Sequence, residues 1–198
     1  RIKVPEVYLP EDMRGAQASA KNPGASLLAQ TFWHQDLGVI EKDADDSLIL
    51  TVWLPITEAT EENGCLRVAP KSHKKGLQHH CFTPTQIGLA EDQVGPTQKT
   101  LPMNPGDVLF MTKTTMHSSL PNLSNSIRWS FDLRYNPIGH PTGRKWFPGF
   151  VARSASNPES ELRNPAAWSE MWEETRSKLS RGETPTFRRW NPDDPYCA

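Results

Sequence analysis

Between Ile127 and Tyr135 apolar and polar residues alternate without interruption. Ile127, Trp129, Phe131, Leu133 and Tyr135 fall on one face of an extended chain, and Arg128, Ser130, Asp132 and Arg134 fall on the other. This is the clearest predicted strand. Leu48, Ile49, Leu50, Thr51, Val52 and Trp53 form a β-prone run apolar on both faces, which predicts a central strand over 47–54. The apolar run at 27–33 predicts a strand leading into His34. Asn63-Gly64 predicts a turn before a short strand at 65–69, and Asn104-Pro105-Gly106-Asp107 a turn that launches a strand at 108–111. Helical signals concentrate late, with Asn164 as N-cap, Pro165 at the first helical position and a helix through Leu179. Trp168, Met171, Trp172 and Leu179 form its expected packing face. Eighteen prolines spread along the chain favour short strands and loops. The expected class is mainly β, a sandwich or small barrel of jelly-roll type, with peripheral helices including one near the C-terminus.

Composition narrows the functional classes. With 198 residues the chain suits a single domain over 1–198. Twenty-two basic residues balance 23 acidic ones with no basic stripe, so neither nucleic acid nor an anionic membrane surface is an expected partner. No run of about 18 apolar residues suggests a membrane span, and no charged-then-apolar leader is visible from Arg1 onward. Cys65, Cys81 and Cys197 are too few and too scattered for a disulfide framework or zinc ribbon. The expectation is an intracellular, cytoplasmic protein with reduced thiols. Asn122-Leu123-Ser124 has the form of a glycosylation sequon but reads as a turn.

The candidate chemistry lies in His34-Gln35-Asp36, His117 and Arg128. Two histidines and one carboxylate suit a mononuclear non-haem Fe(II) site that keeps positions open for substrates. In a strand, residues two apart share a face, so His34 and Asp36 can reach one ion while Gln35 points away. An isolated H-x-D is common on wet surfaces; the downstream segment makes it informative. Pro121 to Asn125 is turn-rich, and a hairpin about residues 122–123 sets His117 opposite Arg128, with Cβ atoms roughly 4.5–5.5 Å apart. The guanidinium fork of Arg128 suits a carboxylate; the alternative is a solvated face shared with Asp132 and Arg134. His73 and His140 read as loop residues. His79-His80-Cys81 has soft-metal ligands, although adjacent side chains in extended chain point apart. Trp53 reads as core, or as a wall near the iron.

In order, Trp33-His34-Gln35-Asp36, Trp53-Leu54-Pro55, Glu62-Asn63-Gly64-Cys65-Leu66, Pro70-Lys71-Ser72-His73, Pro105-Gly106-Asp107, His117-Ser118-Ser119, Pro121-Asn122 and Arg128 resemble the phytanoyl-CoA dioxygenase family. The resemblance spans about 27–137, leaving 138–198 as a helical and loop extension. It implies a double-stranded β-helix, a cupin-like jelly roll with iron at its mouth, working with Fe(II), 2-oxoglutarate and O2. By the same resemblance His34, Asp36 and His117 are the iron ligands. Arg128 holds the distal carboxylate of 2-oxoglutarate, Ser119 is the small hydroxyl residue beside it, and Trp53 is the aromatic wall. Family members carry a longer portion ahead of H-x-D than the 33 residues present here, so the pocket-lining N-terminal part is expected to be incomplete.

The implied activity is hydroxylation of an unactivated C–H bond in a small organic substrate, with release of succinate and CO2. Halogenating relatives lack the carboxylate that Asp36 supplies, which favours hydroxylation; desaturation and ring closure stay open. Two rivals remain at this point: a cupin-like metalloenzyme in which Arg128 binds a substrate carboxylate, and a non-catalytic jelly-roll binding module. Lys71, Lys74 and Lys75 read as a solvated turn, not a CoA-phosphate cluster.

Overall fold

The computed structural model describes residues 1–9, 11, 30–82, 86–182, 189–191 and 193–197. Its strands, in chain order, are β1 (Ile2–Lys3), β2 (Leu50–Pro55), β3 (Leu66–Val68), β4 (Cys81–Phe82), β5 (Ile87–Gly88), β6 (Lys99–Leu101), β7 (Leu109–Thr112), β8 (His117–Ser119) and β9 (Arg128–Tyr135). One antiparallel sheet has the order β1-β9-β2-β7 and a second the order β6-β3-β8; β4 and β5 form a separate pair. Trp53 and Met111 from the first sheet meet Leu66 from the second in a core with Ala59 and Cys65. Each of the three larger side chains contributes roughly 1.5–3 kcal/mol by leaving water. This two-sheet antiparallel body is the expected jelly roll.

The predicted central strand is β2, which lies between β9 and β7. The turn at Asn63-Gly64 places Gly64 at φ +89°, where a Cβ would also lie 2.7 Å from the carbonyl oxygen of Leu120. Asn122 is buried, and its Oδ1 accepts from the backbone N–H of Ser124, as the turn reading expects.

Strand β9 has the predicted alternation, with its polar face turned inward. Arg128 and Ser130 are buried, whereas Trp129, Phe131, Leu133 and Tyr135 are 45, 55, 37 and 46 % exposed on the outer face. The solvated-face alternative for Arg128 therefore fails.

Three other expectations are corrected. Residues 27–29 lie outside the described residues, and 30–33 form no strand; His34 makes an isolated bridge to His117, and Asp36 opens a 3-10 turn, Asp36–Val39. No hairpin joins His117 to Arg128, because β8 pairs with β3 while β9 pairs with β1 and β2. The turn at 121–127 crosses from one sheet to the other, and the two residues line one cavity between them. The late helix forms where predicted, as Pro165–Ser180 (α1), capped by Asn164 Oδ1, which accepts from Ala166 N–H at 2.9 Å. None of its residues is buried, however, and Trp172 meets only the rings of Phe147 and Trp168 among the described aromatic contacts.

Cys81 and Cys197 form a disulfide across 116 residues, against the expectation of reduced thiols, and only Cys65 is free. Sequence distance hid the pair because the C-terminal segment returns to β4, bringing the two Cα atoms within 5.4 Å. No helix among the described residues is long and apolar enough to cross a membrane.

Candidate metal centre

His34 and His117 bond to each other through both backbone groups: His34 N–H donates to His117 O at 3.0 Å and His117 N–H to His34 O at 2.9 Å. This bridge brings the rings to a centroid separation of 4.2 Å. The 3-10 turn that follows swings Asp36 back toward them, with Oδ1 3.9 Å from His34 Nε2. One donor atom from each of the three buried residues lies within 4.8 Å of the others, a spacing that can close around one cation. The same-face argument for H-x-D thus holds in outcome, with a bridge and a turn replacing a strand.

The protonation pattern fits a metal. His34 Nδ1 lies 2.9 Å from Phe32 O and His117 Nδ1 lies 3.0 Å from Thr115 O, so each ring donates its Nδ1–H to a carbonyl two residues back. Both Nε2 lone pairs then face the shared space, the arrangement seen when histidines are oriented to ligate. Burial, followed by the proximity of His117, pushes the His34 pKa well down and keeps the ring neutral. For Asp36, burial acts upward, but the Arg134 guanidinium beside it acts against that, and the carboxyl is held well below its usual range. Arg134 donates to Oδ1 and Thr51 to Oδ2. Two imidazoles and a carboxylate make a donor set suited to Fe(II).

Gln35 does not merely point away. It is fully buried; its Nε2 donates to Gly76 O at 2.8 Å and Thr114 O at 2.7 Å, and its Oε1 accepts from Gln78 N–H at 2.7 Å. Its own N–H donates to His80 Nε2 at 3.0 Å, while His80 Nδ1–H donates to Gln78 O at 2.9 Å. Burial lowers the His80 pKa to about 4, which keeps Nε2 free to accept. The His80 ring lies so close to Gly38 that a Cβ there would sit 2.2 Å from it, which explains the glycine two residues after Asp36.

The cavity beside the histidines is strongly cationic. Arg128 is 1 % exposed, lies 5.3 Å over the Trp53 ring and donates to Ser130 Oγ at 3.0 Å. Its buried Nε has no hydrogen-bond partner. Lys3, also buried, reaches the same cavity, and burial followed by Arg128 and Arg1 drives its pKa well down. Asp132 is engaged by Arg1 at 2.9 Å and Arg134 at 3.3 Å. A buried guanidinium with an unused N–H is suited to receive an anion. Ser119 and Trp53 line this cavity too; Ser119 Oγ accepts from Thr31 N–H at 3.0 Å, so the hydroxyl bonded to Arg128 is that of Ser130.

All three predicted ligands, Arg128, Ser119 and Trp53 therefore meet in one place. Sequence reasoning missed Arg134, Lys3, Gln35 and His80. Arg134 was within reach, since β9 puts it on the same face as Arg128. For Lys3, a two-residue strand carries no pattern, and His80 acts through a long-range contact.

The family model for phytanoyl-CoA dioxygenase matches residues 9–130. The chain belongs to the phytanoyl-CoA dioxygenase family. It is 33 % identical over 122 residues to 1-deoxypentalenic acid 11-beta-hydroxylase of Streptomyces arenae, covering 56 % of this chain and 42 % of that protein. It is 28 % identical over 144 residues to a phytanoyl-CoA dioxygenase of Arabidopsis thaliana, covering 70 % and 48 %. The chain thus spans less than half the length of these family members. Its fold resembles the solved apo structure of ThoJ, a non-heme monooxygenase, with a TM-score of 0.54 and 20 % identity over 77 % of this chain and 60 % of that one.

Proposed function

We propose that this chain carries the catalytic core of an Fe(II)/2-oxoglutarate-dependent dioxygenase that hydroxylates an unactivated C–H bond of a small organic substrate. One observation carries the reading: a bis-imidazole and carboxylate set converges beside a buried guanidinium whose Nε is unpartnered. His34 Nε2, His117 Nε2 and an Asp36 oxygen would hold the iron. Bound iron supplies the oxidising power from O2 while 2-oxoglutarate is decarboxylated to succinate and CO2.

The chain's own residues have distinct tasks in this scheme. Arg128, assisted by Lys3, receives the distal carboxylate of 2-oxoglutarate through charge-assisted hydrogen bonds. Trp53 backs the guanidinium and walls the co-substrate, and Ser119 closes the cavity beside it. Asp36 stays ionised because Arg134 and Thr51 hold it, so the carboxylate is ready for a metal without losing a proton. Burial around both histidines keeps bulk water from the reacting space. The substrates in the names of the family relatives are small molecules, which supports a small-molecule substrate here. An intracellular setting accords with the need for ferrous iron and 2-oxoglutarate.

The reading is tested by succinate release and O2 uptake across a panel of small organic acids and acyl thioesters. A true substrate should stimulate both in step, and Asp36→Ala should abolish the coupled signal. Full hydroxylation by Asp36→Ala without added ligand would sink the assignment.

A further inference from the structure

His79-His80-Cys81 has no place in the proposed reaction, yet the fold gives it a partner segment. Leading into β4 the three residues alternate: His80 turns inward onto Gly38, while His79 and Cys81 both meet the C-terminal segment. His79 is held between the rings of Trp190 and Tyr196, at centroid distances of 4.9 and 4.8 Å, and Cys81 meets Cys197. His79 Nε2 lies 3.3 Å from Asp194 Oδ2 but off the hydrogen-bonding direction, so this buried nitrogen has no hydrogen-bond partner. Asp194 is itself oriented, because its Oδ1 accepts from Tyr196 N–H at 3.0 Å. A donor atom from each of His79, Cys81 and Cys197 lies within 4.8 Å of the others.

We propose that the thiol form of this chain holds a second metal ion, a thiophilic divalent cation of the zinc type, between His79, Cys81 and Cys197, with the fourth position left to solvent. Two sulfurs and an imidazole nitrogen supply three of the four donors of a tetrahedral zinc set. The first centre, with two nitrogens and an oxygen, is the harder one. Opening the site requires a dithiol reductant, which transfers two electrons and two protons to the Cys81–Cys197 bond and closes to its own disulfide. The cation then displaces one proton from each new thiol as two metal–sulfur bonds form. The consequence is structural. Arg189 donates to Ile40 O at 2.7 Å and Trp190 to Gly38 O at 2.7 Å, so the C-terminal segment clamps the turn that presents Asp36. Disulfide and metal are two ways of keeping that clamp shut.

The test uses the full chain, reduced with a dithiol, freed of reductant under argon and titrated with Co(II). A thiolate-to-cobalt charge-transfer band should appear in reduced chain and persist in the His34→Ala/Asp36→Ala double variant, which silences the first centre. It should be absent from oxidised chain and from Cys197→Ser. Independently of any variant, Zn(II) should slow alkylation of both Cys81 and Cys197 in reduced wild-type chain, mapped by mass spectrometry. No cobalt–thiolate band in reduced chain, a band that survives Cys197→Ser, or alkylation indifferent to Zn(II) would each overturn the proposal. None of these readouts depends on dioxygenase activity.

Discussion

Arg128→Met separates a residue kept for a ligand from one kept for the fold. Arg128 is almost wholly buried, and burial pushes its pKa down to about 10. At neutral pH the side chain is charged in both folded and unfolded chains, so the fold bears a cost for confining that charge, on the order of 3 kcal/mol and relieved only above about pH 10. The bond to Ser130 and the contact with Trp53 return roughly 1–2 kcal/mol. Methionine keeps most of the volume and removes the charge. The ligand-free variant should therefore be as stable as the parent, or more stable by about 1 kcal/mol, in urea unfolding. Co-substrate binding should respond in the opposite sense. Two charge-assisted hydrogen bonds at ~1.5–3 kcal/mol each make a loss of about 10²–10⁴-fold in 2-oxoglutarate affinity. Isothermal titration of the Mn(II)-loaded protein measures it. An unchanged affinity combined with a stability loss above about 2 kcal/mol would show that Arg128 is a structural residue and refute the reasoning.

Further outcomes follow from the bracing around H-x-D. Gly38→Ala drives a methyl into the His80 ring and should cost about 3 kcal/mol or more in unfolding free energy; adding His80→Ala should recover part of it, and strictly additive losses would dismiss the clash. Gln35→Leu abandons Gly76 O, Thr114 O and Gln78 N–H, and at about 1–3 kcal/mol for each stranded group it should lower both the thermal midpoint and Fe(II) affinity. A variant with wild-type iron affinity would show that Gln35 does not position the ligands. Mn(II) with 2-oxoglutarate, each at a hundredfold excess over its dissociation constant, should raise the melting temperature by roughly 10–20 °C. A chelator should reverse the rise, and an equal rise in Asp36→Ala would contradict the ligand assignment.

What the sequence made legible follows from the range of each interaction. The alternation of β9, the double apolar face of β2 and the turn residues at 63–64 and 104–107 are local, and each element forms where it was read. The grouping of His34, Asp36 and His117 was also legible, because residue types and order along the chain do not depend on how the strands pair. Pairing itself was less so: turn chemistry at 121–125 looks the same whether it closes a hairpin or carries the chain between sheets. The Cys81–Cys197 pair, and the insertion of His80 against Gly38, span 116 and 42 residues and leave no local trace. Burial sense was hidden for a physical reason. A strand whose polar face lines a charged cavity has the same period as one whose polar face meets water, and only the anion cradle around Arg128 tells them apart.

The central claim is that one iron and one 2-oxoglutarate bind together at His34, Asp36, His117 and Arg128. Anaerobic titration of the chain with Fe(II) and 2-oxoglutarate, followed by visible absorption, tests it directly. A weak charge-transfer band that requires both components and disappears in Asp36→Ala is expected. Arg128→Met should shift the half-saturation point to at least tenfold higher 2-oxoglutarate. No band in the wild-type chain, or a band unchanged in both variants, would contradict the claim.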